Sequence, residues 1–158
     1  MRSENGMGVE GGEVILTCEV TPPGYPQPQF KWWRSDETSD ILSLTNNLTL
    51  ANLRLDDEDS YSCQAYNELG KSQVGTGMLR VVQTPRIVTT LPQEIVRRSG
   101  ETGVSLSCQA RGKPAPEVKW MFEGRRLSES GDMFQVNTTT VTNRNDKSVM
   151  VWSTLHFR

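Results

Sequence analysis

Residues 24–32 read GYPQPQFKW, and 88 positions later residues 112–120 read GKPAPEVKW. Gly, Pro, Pro, an apolar residue and Trp recur at every second position, while most residues between them differ. Alternate side chains of an extended chain point to opposite faces, so the spacing predicts two copies of a strand with one fixed and one free face. A repeat at this distance divides the 158-residue chain into two small units rather than one large domain.

The repeat extends in both directions. EVILTCEV (13–20) sets Val14, Leu16, Cys18 and Val20 on one face, and GVSLSCQA (103–110) does the same with Val104, Leu106, Cys108 and Ala110. Both predict half-buried strands with a cysteine on the apolar face. From Cys108 the alternation runs on to Trp120; from Cys18 it reaches Trp32 with two extra residues at Pro22-Pro23. Strand, proline-bearing turn and strand are therefore expected in both units.

Downstream in the first unit, NLTL (47–50) points Leu48 and Leu50 inward, and Tyr61, Cys63 and Ala65 alternate on one face. NELG (67–70) reads as a hairpin turn into a last strand, GMLRVV (77–82). Short strands separated by turn signals, with no helical period of comparable length, predict an all-β, antiparallel β-sandwich.

Composition narrows the function classes. Apolar residues at 35% and charged residues at 23% suit a folded, water-soluble surface. The net charge of −2 conceals an asymmetry: residues 1–84 carry 6 Lys+Arg against 12 Asp+Glu, and residues 85–158 carry 11 against 7. The second unit's excess is spread out rather than clustered, which argues against nucleic acid as a partner. No apolar run approaches the ~20 residues of a membrane span, and MRSENGMGVEGGE has no apolar core of a signal peptide. Any membrane attachment would come from a segment outside the sequence.

Together these residues resemble the immunoglobulin superfamily. The first unit is similar at Cys18, Trp32, Leu48, Leu50, Asp57, Tyr61, Cys63, Ala65, Asn67 and Gly70, with the D-x-G-x-Y-x-C signature present as DEDSYSC. Asp59 stands where the family prefers Gly. The second unit is similar at Gly100-Glu101, Leu106, Cys108, Gly112, Pro114, Pro116, Trp120, Gly124, Leu127 and Leu155. The resemblance implies two tandem sandwiches. Residues 1–84 would form a C2-type domain lacking the start of its first strand, and residues 85–158 an I-set-like domain that ends before its last two strands.

It further implies a Cys18–Cys63 disulfide closing a loop of about 45 residues, with Trp32 packed on it and Tyr61 and Asp57 holding the adjacent corner. Trp120 takes the part of Trp32 in the second unit. VWSTLHFR would correspond to NLTLANL, so Cys108 is expected unpaired, its partner lying about 13 residues beyond Phe157 by analogy. From Trp32 to Leu48 there are 16 positions and from Trp120 to Leu155 there are 35, so additional edge strands are expected in the second unit.

Candidate chemistry is sparse. His156 is the single histidine, with neither Cys nor His at ligand spacing, and reads as a surface strand residue. The run DDED (56–59) offers carboxylates suited to a hard cation, but at a turn between strands it reads as Asp57 held for structure and its neighbours solvated. VGTG (74–77) precedes a strand rather than a helix and so cradles no phosphate. No catalytic residue, metal, cofactor or small-molecule substrate is assigned. Asn47-Leu48-Thr49 and Asn137-Thr138-Thr139 are glycan acceptor sequons, and Asn47 is out of phase with the inward leucines. With the cysteine pair they point to an oxidising, extracellular setting.

The reading that follows is a protein–protein recognition module of an extracellular adhesion or receptor protein. Its partners would be other proteins, above all surface receptors of the same superfamily, engaged homophilically or heterophilically. The resemblance also covers titin-like intracellular spacers and secreted binders. The loop TPPGYPQPQ is the most distinctive surface feature, but its prolines read first as stiffening a turn.

Overall fold

The computed structural model describes residues 6–89, 91–92, 94–96, 98–100, 103–127 and 133–157. Glu101 of the family pattern and the terminal residues Met1 and Arg158 lie outside these. The chain divides into two compact units, Met1–Val82 and Gln83–Arg158. The described residues contain strands and one short 3-10 turn.

The first unit begins with β1 (Gly6–Val9), β2 (Val14–Thr17), β3 (Gln29–Arg34) and β4 (Asn47–Leu50). After a 3-10 turn at Leu55–Asp57 come β5 (Asp59–Asn67), β6 (Gly70–Lys71) and β7 (Gly75–Ile87), the last running past the division between the units. β2 and β4 form one layer, with Leu16 opposite Leu48 and Val14 opposite Leu50. The other layer is β3–β5–β7, with Trp32 opposite Cys63 and Tyr61 opposite Gly77. Inward residues of both layers meet in one core of Leu16, Cys18, Trp32, Leu48, Leu53, Leu55, Tyr61, Cys63, Leu79 and Val81. That is the two-layer burial the alternating pattern requires.

One pairing departs from the antiparallel expectation: β1 runs parallel to β7, Gly6 opposite Leu79 and Val9 opposite Val82. After β1 the chain turns through Gly11, at φ 83°, and crosses to the opposite layer as β2. β1 therefore lies beside the last strand of one layer while β2 belongs to the other. The GMGV pattern fits this place, since glycines face a core that has no room for larger groups.

The second unit holds β8 (Ser105–Lys113), β9 (Met121–Phe122), β10 (Arg125–Arg126), β11 (Phe134–Thr142) and β12 (Val149–Phe157). Its sheet runs β11–β12–β8, and the end of β7 adds to β8, with Arg86 opposite Arg111 and Ile87 opposite Ala110. The β7–β8 ladder is irregular between Gln83 and Arg86, where Pro85 has no N–H to donate. β12 opposes Leu155 to Leu106, as Leu48 opposes Leu16, and the Phe157 amide bonds the Val104 carbonyl at 2.8 Å. This register makes VWSTLHF the counterpart of NLTL. β9, β10 and β11 occupy the longer interval after Trp120, and Glu123 and Gly124, both at positive φ, close the β9–β10 hairpin.

The second copy of the GYPQPQFKW repeat does not form the predicted strand. Residues 29–34 form a strand because β5 pairs with them, whereas 115–120 make no ladder among the described residues. Alternation persists, with Val118 and Trp120 half-buried and Glu117 and Lys119 exposed. A side-chain pattern prescribes an extended chain; a strand also needs a hydrogen-bonding neighbour.

Candidate protein-recognition surface

The residues singled out by the sequence mostly build the scaffold on which any surface rests. Cys18 and Cys63 form a bridge with Cα atoms 6.4 Å apart and a sequence separation of 45, buried beside Trp32. The Trp32 indole Nε1 donates to the Thr45 carbonyl at 3.1 Å, so its single polar atom is satisfied. The Tyr61 hydroxyl, in a side chain 2% exposed, donates to the Asp57 carbonyl at 2.7 Å, and the Asp57 carboxylate accepts from the Arg54 amide at 2.8 Å. Burial pushes the Tyr61 phenol up, Arg34 partly opposing it, so the hydroxyl remains the donor this bond needs.

Around DDED the structure corrects the reading of solvated neighbours. Asp59 takes the Arg34 guanidinium at 3.0 Å, and Arg34 also donates to the Asp56 carbonyl and lies 5.9 Å from the Tyr61 ring centroid. The Glu58 carboxylate accepts from the Val81 amide at 3.3 Å. A charge at the Gly position of the signature is thus accommodated because β3 supplies its counter-ion. Among the described residues no group of three or more His, Cys, Asp or Glu is placed to hold a metal ion.

In the second unit Cys108 is a buried free thiol. It shares a cavity of about 420 Å³ with Leu91, Ala110, Pro116, Trp120 and Met121. Trp120 is half-buried and donates to the Ser153 hydroxyl at 2.8 Å, a different acceptor from that of Trp32. Asn47 and Asn137 are both exposed on strands; Asn47 accepts from the Thr17 hydroxyl at 3.1 Å and Asn137 from the Gln135 amide at 3.4 Å. His156 is half-exposed on β12, opposite Gln135 and Ser105.

Two surface features were not legible beforehand. Asn67 ties the proline loop to the β5–β6 hairpin: its amide donates to the Pro26 carbonyl at 3.0 Å and its carbonyl accepts from the Leu69 amide at 2.9 Å. Tyr25 (90% exposed) and Leu69 (82%) therefore stand on two loops joined at one end of the sandwich. The other feature is Trp33, which alternates away from Trp32 and yet is only 7% exposed. It lies in one cross-strand row with Ser62 and Thr76, whose hydroxyls bond at 2.9 Å, and the Lys31 ammonium lies 5.9 Å from its ring. The WW dipeptide was its only signal, since alternation alone sends the second indole to solvent.

Residues 8–76 match the family model of the immunoglobulin domain, and residues 85–149 that of the immunoglobulin I-set domain. This chain belongs to the immunoglobulin superfamily. Protein sidekick of Drosophila melanogaster is 34% identical over 158 residues, an alignment covering 89% of this chain and 7% of sidekick. Human hemicentin-1 is 34% identical over 123 residues, covering 75% of this chain and 2% of hemicentin-1. The chain thus spans under a tenth of the length of these curated relatives. Among solved structures, the mouse nectin-like molecule 4 ectodomain aligns with a TM-score of 0.72 at 23% identity, covering 98% of this chain and 55% of that one. Drosophila OTK extracellular domains 3–5 align at 0.63 and 19% identity, again covering 98% and 55%. These likenesses concern the fold. No helix among the described residues of this immunoglobulin chain is long and apolar enough to cross a membrane.

Proposed function

We propose that the two immunoglobulin domains, residues 1–84 and 85–158, are a non-catalytic protein-recognition module of an extracellular adhesion or receptor protein. The observation that carries this reading is how the side chains are used. In the first domain Cys18, Trp32, Asp57, Tyr61 and Cys63 are spent on the scaffold, while exposed apolar groups such as Tyr25, Leu44 and Leu69 sit on loops. Loops carried by a rigid sandwich are where such domains meet other proteins.

Extracellular relatives such as sidekick and hemicentin-1 support this reading. A buried Cys18–Cys63 bridge fits their oxidising compartment and opposes the cytosolic spacer reading. Glycans at the exposed Asn47 and Asn137 fit it as well. Partners on this reading are surface receptors of the same superfamily, and neither nucleic acid nor a small-molecule substrate is involved.

The test is display of the secreted chain at high density on beads, scored for bead clustering and for binding to a panel of immunoglobulin-superfamily ectodomains. Clustering or selective capture of a panel member is the expected result. Dispersed beads that capture nothing would overturn the reading.

A further inference from the structure

We infer that the chain associates with a second copy of itself through the segment after Trp32 in the first unit and the hairpin after Trp120 in the second. This deepens the recognition reading above and rests on it. Both segments are anchored in the same way: the Leu42 amide bonds the Trp32 carbonyl at 2.8 Å, and the Leu127 amide bonds the Trp120 carbonyl at 2.8 Å. The two are equivalent positions in the repeat, yet their chemistry is opposite.

The first segment presents Asp36, Glu37 and Asp40, all exposed, followed by Ile41, Leu42 and Leu44, with Leu44 66% exposed. None of the three carboxylates has an ion-pair partner among the described residues. The second presents Met121 (62%) and Phe122 (64%), with Arg126 opposite Met121 and Arg125 opposite Phe122. Residues paired across a hairpin share a face, so each exposed apolar side chain sits beside a guanidinium. Arg126 reaches Glu117 at 3.5 Å on the surface, and Glu123 lies at the hairpin tip.

The units that carry these segments are themselves of opposite charge, −6 for residues 1–84 and +4 for 85–158. Long-range attraction between unit one of one molecule and unit two of another therefore brings an acidic, aliphatic patch against a basic one bearing Met and Phe. Each contact then buries the apolar groups and pairs the charges. The pairing is heterologous at each contact, the unit-one segment of one molecule meeting the unit-two hairpin of another.

The experiment is sedimentation of the full chain over a concentration series, with two charge-reversed variants. One carries Asp36→Lys, Glu37→Lys and Asp40→Lys; the other carries Arg125→Glu and Arg126→Glu. All five positions are exposed, and circular dichroism checks that both variants fold. The wild-type chain should self-associate, and raising NaCl from about 0.05 to about 0.5 M should weaken that association ~10-fold or more. Each variant alone should be monomeric. An equimolar mixture should recover association, because each variant then offers the patch the other requires, a result that misfolding cannot produce.

Association unaffected by both reversals, or variants that fail to rescue each other, would overturn the inference. Reversals that change the hydrodynamic shape of a concentration-independent monomer would assign the pairing to one molecule and also overturn it. A wild-type monomer that still binds a panel ectodomain removes self-association and leaves the recognition reading standing. A monomer that binds nothing removes both.

Discussion

Gly6 and Gly8 are where single residues constrain the first domain most tightly. A methyl added at Gly6 would lie 2.9 Å from Leu16 Cδ2, and one added at Gly8 would overlap Leu53 Cδ1, in a side chain only 1% exposed. Gly8→Ala should therefore cost about 1–3 kcal/mol by forcing the core to shift, while Met7→Ala on the exposed face of the same strand should cost little. Urea unfolding followed by tryptophan fluorescence distinguishes the two; equal stabilities would mean that Leu53 moves aside freely. Tyr61→Phe should cost about 0.5–1.5 kcal/mol, the net worth of the bond to the Asp57 carbonyl, read as a lower urea midpoint with unchanged slope. Tyr61 and Trp32 were legible because a period of two reveals which side chains point inward. Gly8 was not, because a glycine's inward neighbour is visible only once β1 is placed against β7.

At the scale of the element, the turn joining β11 to β12 shows how local sequence writes local structure. Asn143 Oδ1 accepts from the Asn145 amide at 2.8 Å, and Asp146 Oδ1 accepts from both the hydroxyl and the amide of Ser148 at 2.7 and 2.9 Å. Ser148 is 1% exposed and also receives the Arg111 guanidinium at 3.3 Å, so strand and turn share one network. The Ser148 hydroxyl and then its amide hold the Asp146 carboxyl below its ordinary value of 3.8, Arg111 adding to the effect. A depressed folded value means the stabilisation is complete above pH 3.8 and is lost as pH falls through the lower value. Asp146→Asn should therefore lower second-unit stability at pH 5 and flatten its decline below pH 3.8. Urea midpoints from pH 5 to 2 check this, and parallel curves for both proteins would refute it. NRND was legible as a turn from its composition. That Arg111, 35 positions away in β8, reaches both its aspartate and the buried serine was not.

For the whole molecule, the two units differ in what secures them. The bridge between Cys18 and Cys63 closes a 45-residue separation in the first, worth about 4 kcal/mol by chain entropy, whereas Cys108 contributes only packing in the second. Reduction, or replacement of Cys18 and Cys63 by Ala, should thus lower the melting temperature of the first unit steeply and leave the second unit's transition in place. Calorimetry with and without reductant measures it, and two transitions that fall together would show that the bridge does not act within one unit.

The sequence alone determined the repeat, the strand periodicity, the cysteine and tryptophan positions and, through Leu155 and Phe157, which strand of one unit matches which strand of the other. All are consequences of side chains alternating about an extended backbone, a property each segment carries by itself. Only the tertiary structure decided that β1 lies parallel to β7, that Asp59 finds Arg34, that Trp33 is covered, and that Asn67 joins two loops far apart in sequence. Those outcomes depend on which hydrogen-bonding edge, counter-ion or neighbouring layer a residue meets in space, and no local pattern encodes that meeting.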